Sequence, residues 1–513
     1  MLLIFPPVAK PGEPPAGIAK LAGALKAHGI SFTVLDANLE GLLFLLQQPN
    51  AASDTWTRRA IRTLPQNLAS LRDIRTYRSL DRYARVVRDL NRILAVSTFD
   101  KGTTIGLADY QDQRLSPLRS ADLIHAAEHP EQNPFYHWFS TRLPEILETM
   151  GDKESEVSGT GRFIGFSLNY LSQALCAFAM IGYLRRAFPH RKIVLGGGLV
   201  TSWTKHPDWK NPFGGLVDHL IAGPGEGPLL ALLGVNAVDK VQSAPDYDSF
   251  PLHEYLSPGF ILPYSASSGC YWNKCLFCPE TAEDTPYVPV PAERAMAELN
   301  ALVARTKPVM IHLLDNAVSS ACMHRLAEKP LGVPWYGFAR ISQELTDLDY
   351  CIALKRSGCA MLKLGLESGD QNVLDRMRKG IDLEMASKVL CNLRKAGIAA
   401  FVYLLFGTPA ETISEARKTL TFVAAHKEEI TFLNCAVFNM PVCGTEAREY
   451  ETAQFYEGDL SLYRAFKHPA GWDRKEVRRF LENDFKKHPA VSAILKNDVP
   501  FFTSNHAALF EKP

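Results

Sequence analysis

The sequence predicts an α/β protein in two main parts. The first is a doubly wound, Rossmann-like domain with a helical insertion. The second is a partial barrel of six strand–helix units, followed by a small, mainly helical C-terminal region. Three observations carry this expectation. Short apolar runs without polar alternation, such as 2–5 and 163–167, read as parallel strands buried on both faces. From about 261 to 438, similar runs alternate regularly with amphipathic helical stretches. A loop holding three cysteines within nine residues, Cys270, Cys275 and Cys278, follows the first strand of that second part.

Composition narrows the class. A chain of 513 residues holds two or three domains and can bury large cores. With 46% hydrophobic and 22% charged residues it reads as an ordinary globular protein. Lys plus Arg less Asp plus Glu is 56 − 55 = +1, so bulk charge favours neither nucleic acid nor an anionic membrane. Apart from the triplet, the ten cysteines are scattered, which suits a reducing cytoplasm better than a disulfide framework. The apolar start, 1–8, lacks a basic segment and runs into Pro6-Pro7, so it reads as a strand and not a signal peptide. No apolar run reaches the roughly 18 residues that a membrane span requires.

Taken in order, residues 2–5 form the first strand and a Pro/Gly-rich loop covers 6–17. A helix follows with Ile18, Leu21, Ala22 and Leu25 on one face and Gly29 ending it. Residues 31–35 are the second strand. After an insertion (about 47–156) rich in Arg, Leu and Asp, with helical patterns such as 80–94, the alternation resumes. It gives strands at 163–167, 192–195 and 218–222, with a helix at about 171–188. Glycine-rich or polar loops follow these strands: Ser167-Leu168-Asn169, Gly196-Gly197-Gly198 and Gly223-Pro224-Gly225-Glu226. In an open α/β sheet, ligands lie across the carboxyl ends of the strands, so these loops line one crevice.

The first domain is expected to span 1–240, with 241–258 as a linker without periodicity. The barrel then occupies 259–448, with strands near 261–267, 309–315, 335–340, 361–367, 398–407 and 430–438. Helices between them include 291–305 and 383–396, and Thr412-Ile413-Ser414-Glu415 is a capping box. Six units are too few for a closed eight-fold barrel. The remainder, 449–513, is aromatic and charged, with helical stretches such as 475–485, and is read as a cap.

Three thiolates in so short a loop can wrap one metal centre. A saturated iron–sulfur cluster or structural zinc site takes four protein ligands, and no fourth Cys lies nearby. On the residues alone, a zinc site completed by a distant His and three buried thiols stay open beside a three-cysteine cluster. The stretch Gly269-Cys270-Tyr271-Trp272-Asn273-Lys274-Cys275-Leu276-Phe277-Cys278 resembles the cluster loop of radical S-adenosylmethionine (SAM) enzymes. Four residues, where the commonest pattern has three, separate Cys270 from Cys275, similar to a variant found in cobalamin-binding members. The resemblance implies a [4Fe-4S] cluster on the three cysteines, with the open iron chelating S-adenosyl-L-methionine, and a six-unit partial barrel. It also extends to the first domain. Pro6-Pro7, Pro11-Gly12 and Pro14-Pro15-Ala16-Gly17, together with Ser167-Leu168-Asn169 and Gly196-Gly197-Gly198, are similar to cobalamin-binding domains fused to such barrels. Pro15, Gly17, Ser167, Leu168, Asn169, Gly196, Gly197, Gly198, Gly223 and Glu226 are then the expected cobalamin contacts. The Asp-x-His-x-x-Gly motif of mutases is missing after the first strand; Asp36-Ala37-Asn38-Leu39-Glu40-Gly41 follows the second strand and has no His. Cobalamin is therefore expected base-off, without a histidine ligand.

Barrel enzymes draw their reacting groups from the carboxyl ends of strands. That rule, with the resemblance, assigns Phe277, Asp315, Arg340, Glu367 and Ser368 to SAM. Arg340 would meet its carboxylate, Glu367 its ribose and Asp315 its ammonium; Ser368 is a turn residue or ribose contact. The alternative for Arg340 and Glu367 is a mutual ion pair. Gly365-Leu366-Glu367-Ser368-Gly369 and Gly407-Thr408-Pro409-Ala410-Glu411-Thr412 are likewise similar to these barrels, and Tyr403 is a candidate substrate contact. The family's chemistry implies a 5′-deoxyadenosyl radical that takes a hydrogen atom from an unactivated carbon, and methylcobalamin that delivers a methyl group. The expected function is a C-methyltransferase acting on a small molecule or peptide, served by a flavodoxin- or ferredoxin-type electron donor. A cobalamin-dependent cyclisation or rearrangement without methyl transfer is the alternative. A methylthiotransferase acting on tRNA would need a second cysteine triad and a basic patch, and neither is visible.

Overall fold

The computed structural model describes residues 1–48, 54–151, 162–235, 243–455, 457–499 and 506–510. The chain divides into two compact units, Met1–Gly259 with Tyr456–Leu462, and Phe260–Phe455 with Tyr463–Pro513.

The first unit is built on a five-stranded parallel sheet. Its strands are β1 (Leu2–Phe5), β2 (Thr33–Asp36), β5 (Phe163–Ser167), β6 (Lys192–Gly196) and β7 (His219–Ile221), in the order β2-β1-β5-β6-β7. Between β2 and β5 stands a hairpin of β3 (Thr103–Ile105) and β4 (Tyr110–Asp112). Helices Ala16–Ala27 and Leu171–Ala187 follow β1 and β5. Leu2, Leu3 and Ile4 are at most 1% exposed, as a central strand covered on both faces requires. The order reverses at β1, whose neighbours are β2 on one side and β5 on the other. A crevice opens at such a reversal, beyond the carboxyl ends of the strands.

The expected helical insertion contributes helices Thr55–Arg62, Leu64–Leu71, Leu80–Ser97, Ser120–Glu128 and Tyr136–Gly151. Residues 49–53 and 152–156 of it lie outside the described residues. The β3–β4 hairpin was not expected, because strands of three residues are too short to display alternation. From 243 onward, the stretch read as a linker packs on the first unit. Asp246 N donates to Ala19 O (2.9 Å), Leu256 N to Pro11 O (2.8 Å), and the Tyr255 hydroxyl to Asp36 Oδ2 (2.6 Å). Such fastening by single hydrogen bonds leaves no periodic trace in sequence.

The second unit is a six-stranded parallel sheet of β8 (Ile261–Tyr264), β11 (Met310–Leu313), β12 (Trp335–Ala339), β13 (Cys359–Glu367), β14 (Ala399–Phe406) and β15 (Phe432–Val437). Spatial order follows chain order, β8-β11-β12-β13-β14-β15, the arrangement of a partial barrel. Helices Ala292–Thr306, Ser320–Glu328, Leu348–Arg356, Leu383–Ala396 and Ile413–Ala425 separate the strands. The first strand is shorter than the expected 261–267. It ends at Tyr264, and β9 (Ser267–Ser268) then pairs antiparallel with β10 (Val288–Pro289), so the cysteine loop hangs from a two-stranded clasp. The expected capping box is present, with Thr412 and Glu415 exchanging hydrogen bonds.

The C-terminal region is mainly helical, as expected, and also holds a small sheet that the sequence did not announce. A three-stranded sheet of β16 (Met440–Pro441), β17 (Thr452–Gln454) and β18 (Tyr463–Phe466) precedes helices Arg474–Phe480 and Pro489–Leu495. Its strands, of two to four residues, carry almost no sequence signal. Among the described residues, no helix is long and apolar enough to cross a membrane.

Candidate functional site

The cysteine loop is anchored by its non-cysteine residues. Trp272 Nε1 donates to Arg378 O (3.0 Å), and Leu276 N donates to Met377 O (3.1 Å). Both bonds tie the loop to the turn that carries Lys379. Cys275 is buried, whereas Cys270 and Cys278 are half-buried. Burial pushes the Cys275 thiol up, and the charges of Lys379 and Arg340 act against that. Burial also raises Cys278, opposed by nearby backbone N–H groups and reinforced by the charge of Cys270. Cys275 thus feels the charge of Cys278, and Cys278 that of Cys270, as three sulfurs gathered on one short loop must. Three thiolates, two adjacent cations and no fourth cysteine form a donor set that fits a cluster with one open iron.

Around this loop lie the residues expected to meet SAM. Glu367 does not pair with Arg340; its Oε1 is 2.8 Å from Lys379 Nζ, with the two side chains 12% and 10% exposed. Glu367 adopts φ 68°, at an irregularity in the β13–β14 register. A left-handed backbone on a non-glycine residue costs on the order of 1 kcal/mol or more, and such outliers cluster at functional sites. Lys379 also sits over the Phe277 ring (5.5 Å), and the Arg340 guanidinium stacks on the Trp272 indole (4.3 Å). One turn therefore joins Phe277, Trp272, Arg340, Glu367 and Lys379 beside Cys275.

Two further expected contacts are held by the protein's own groups. Asp315 is 2% exposed; it accepts from Ser267 Oγ (2.5 Å) and Ala266 N (3.1 Å), so it braces the backbone leading into the cysteine loop. Ser368 is wholly buried; its hydroxyl lies 3.3 Å from Thr419 Oγ1 and accepts from Asp370 N. It sits in the turn that follows β13.

Sequence reasoning missed a polar pair inside the barrel. Lys363 on β13 is 1% exposed; its Nζ lies 3.2 Å from His312 Nε2 and over the rings of Tyr336 (4.8 Å) and Phe338 (5.0 Å). His312 stacks on Tyr336 at 4.4 Å. Tyr403 extends this aromatic wall, with Phe338 at 5.1 Å and Phe401 at 5.0 Å. A strand side-chain period of two places Lys363, Gly365 and Glu367 on one face. That polar spacing within an apolar strand was the available signal.

In the first unit, the expected cobalamin residues sit at the carboxyl edge of the sheet. Pro15 precedes helix Ala16–Ala27, and a Cβ on Gly17 would lie 3.7 Å from Ser167 Oγ, so β1's loop and β5's end face one space. Asn169 Nδ2 donates to Ser167 Oγ (3.0 Å), while Asn169 Oδ1 accepts from Gly198 N (2.9 Å). Leu168 N donates to Gly196 O (2.7 Å). Gly197 has φ +109°, and a Cβ there would fall 2.3 Å from Leu168 O, so only glycine allows these loops to meet. Gly223 N donates to Thr201 Oγ1 (2.9 Å), and Glu226 opens the short helix Glu226–Leu232. Together these loops form a glycine-lined ledge at the switch point of the sheet. No histidine follows β1 before His28, whose ring instead bonds Ala24 O (2.8 Å) at a helix end.

The second unit thus joins a sequential six-stranded parallel sheet to a three-cysteine loop beyond its first strand. Residues 264–423 match the family model described as the radical SAM superfamily. An "uncharacterized methyltransferase" of Pyrococcus horikoshii is 25% identical over 229 residues, 43% of this chain; the match spans about half (48%) of that relative. Among solved structures, the fold is shared with the radical SAM methyltransferase TsrM of Kitasatospora setae. Its form with cobalamin and a [4Fe-4S] cluster aligns at TM-score 0.51 and 14% identity, over 90% of this chain and 84% of that one. The form with tryptophan and a SAM analogue aligns at TM-score 0.54 and 13% identity, over 97% and 90%.

Proposed function

We propose that this chain is a cobalamin-dependent radical SAM methyltransferase acting on an unactivated carbon of a small molecule or peptide. The observation that carries the reading is the joining, on one turn, of the three-cysteine loop to Arg340 and the Glu367–Lys379 pair. Cys270, Cys275 and Cys278 would hold the cluster. Glu367 and Lys379 would meet the ribose and the carboxylate of SAM, exchanging part of their ion pair for the ligand. The ledge of Gly17, Ser167, Asn169 and Gly196–Gly198 would hold cobalamin, base-off, since no histidine is placed to ligate from β1. When bound, these groups would supply a carbon-centred radical and a transferable methyl group. The chain's own residues bind, orient and exclude water.

The barrel interior supports a substrate class. Tyr336, Phe338, Phe401 and Tyr403 give an aromatic wall, and Lys363 with His312 places a cation in it. An aromatic or apolar molecule bearing an anionic group suits such a wall, because cation and rings each retain a partner. The ten cysteines are all free thiols, in keeping with a reducing cytoplasm and a small electron-transfer protein as donor.

The test is anaerobic purification with metal counting and product analysis. About four irons and about one cobalt per chain are expected. With substrate supplied, S-adenosylhomocysteine and a methylated product should form alongside 5′-deoxyadenosine. Zinc in place of iron would overturn the cluster assignment. Both metals without S-adenosylhomocysteine would overturn methyl transfer in favour of rearrangement.

A further inference from the structure

The insertion of the first unit carries a set of ligating side chains that the proposed chemistry does not use. His125, Glu128 and His129 lie at the end of helix Ser120–Glu128, and one ligand atom from each falls within 4.8 Å of the others. Residues spaced three and four apart share one helix face, and an i, i+4 histidine pair is a recurrent way to hold zinc. The imidazole centroids are 4.5 Å apart. We propose that His125, Glu128 and His129 form a binding site for a borderline divalent ion, zinc foremost, on the surface of the insertion.

Four features support it. First, donor type is right: two imidazoles and a carboxylate suit zinc and its neighbours, not calcium or magnesium. Second, the distances require little movement. Bonds of about 2.1 Å at tetrahedral angles set ligand atoms about 3.4 Å apart, so a rotamer adjustment of about 1 Å closes the set. Third, the supporting backbone is fixed. Ala126 and Ala127 are buried, and a Cβ on Gly182 of helix Leu171–Ala187 would fall 1.8 Å from Ala127 O, so the two helices touch at their backbones. That contact leaves Glu128 exposed and both histidines half-exposed. Fourth, His129 Nδ1 lies 3.4 Å from Glu131 Oε1, which leaves Nε2 for the metal. A carboxylate on the second ring nitrogen is the usual outer partner of a metal-bound histidine.

Helix polarity adds to this, because the carbonyl end attracts cations. Arg186 acts in the other direction. Its guanidinium lies 3.8 Å from Glu131 and donates to Glu128 O. It is more than half exposed, so its repulsion is screened. A bound ion would clip the helix end to the turn at Pro130–Gln132 and stiffen the insertion by mass action.

The experiment titrates zinc alone into the full chain, purified anaerobically with its iron retained, and follows heat and metal content after gel filtration. One equivalent is expected on the wild type. His125→Ala and His129→Ala should each weaken it at least tenfold, and Glu131→Gln by a smaller factor, with iron unchanged throughout. Zinc should raise the unfolding temperature of the wild type and not that of the His125→Ala/His129→Ala variant. Equal zinc uptake by the double variant, or uptake only at millimolar zinc, would overturn the proposal. Circular dichroism matching the wild type shows that the variants fold.

Discussion

At the scale of single residues, buried charge separates structure from chemistry. Glu411 is wholly buried, with Oε2 accepting from Gly407 N (2.6 Å) and Trp472 Nε1 (2.9 Å), while Oε1 has no partner. Burial lifts its pKa from the usual 4.5 to about 7. A carboxyl raised on folding makes the folded state the better proton binder. Its contribution is full below pH 4.5 and is lost as pH rises toward 7, in total about 3 kcal/mol at 1.36 kcal/mol per unit. Glu411→Gln should flatten urea stability between pH 5 and 7 and raise it above 7; an unchanged slope would refute the assignment. The Glu367–Lys379 pair, about nine-tenths buried, behaves differently. Removing one partner strands a charge, so Lys379→Met should cost about 3 kcal/mol, whereas Glu367→Gln/Lys379→Met should recover most of it. Urea midpoints of the four-member cycle measure this directly. Sequence reasoning reached Glu367 through its strand-end position, but not its partner. Lys379 lies in a turn twelve residues on, where only the folded backbone brings it back.

Elements were legible where they were apolar throughout and covered on both faces. The runs at 2–5, 163–167 and 398–407 correspond to β1, β5 and β14, because a parallel strand between helix layers needs unbroken apolar character. The β3–β4 hairpin and the β16–β18 sheet escaped, since two to four residues cannot show a period. Their form is set by neighbours, as with Leu460 N donating to Leu118 O (2.9 Å). The loops at the sheet's carboxyl edge lie between these extremes. Their glycines were visible, but not which one is indispensable. The geometry answers Gly197, whose φ of +109° and 2.3 Å approach to Leu168 O exclude any side chain. Gly197→Ala should destabilise the first unit by about 1–3 kcal/mol through strain alone and push the β5 and β6 loops apart. Gly214, with open space around its Cβ position, is the control and should tolerate alanine. Thermal unfolding distinguishes the two, and equal losses would reject the close-approach account.

For the whole molecule, the division into two compact units makes a prediction that neither site makes alone. Each unit has its own parallel sheet and buried core, and the candidate sites divide between them: glycine ledge in the first, cysteine loop in the second. Domains with separate cores fold and fail separately. Lesions should therefore dissociate in both directions. Replacing Cys270, Cys275 and Cys278 by alanine should reduce iron to background and leave corrinoid uptake near the wild-type level, since no ledge residue is touched. Gly197→Ala should do the reverse, losing cobalt while keeping iron and its visible absorption. No substrate is needed, because metal content and spectra report each site directly. The triple variant also discriminates among accounts of the cysteine triplet. If the thiols were merely buried hydrophobes, the triple variant would change no metal; if they held zinc, it would lose zinc and not iron. Loss of both metals from either variant would show that neither unit holds its group independently, and the two-site reading would have to be replaced by a single shared one.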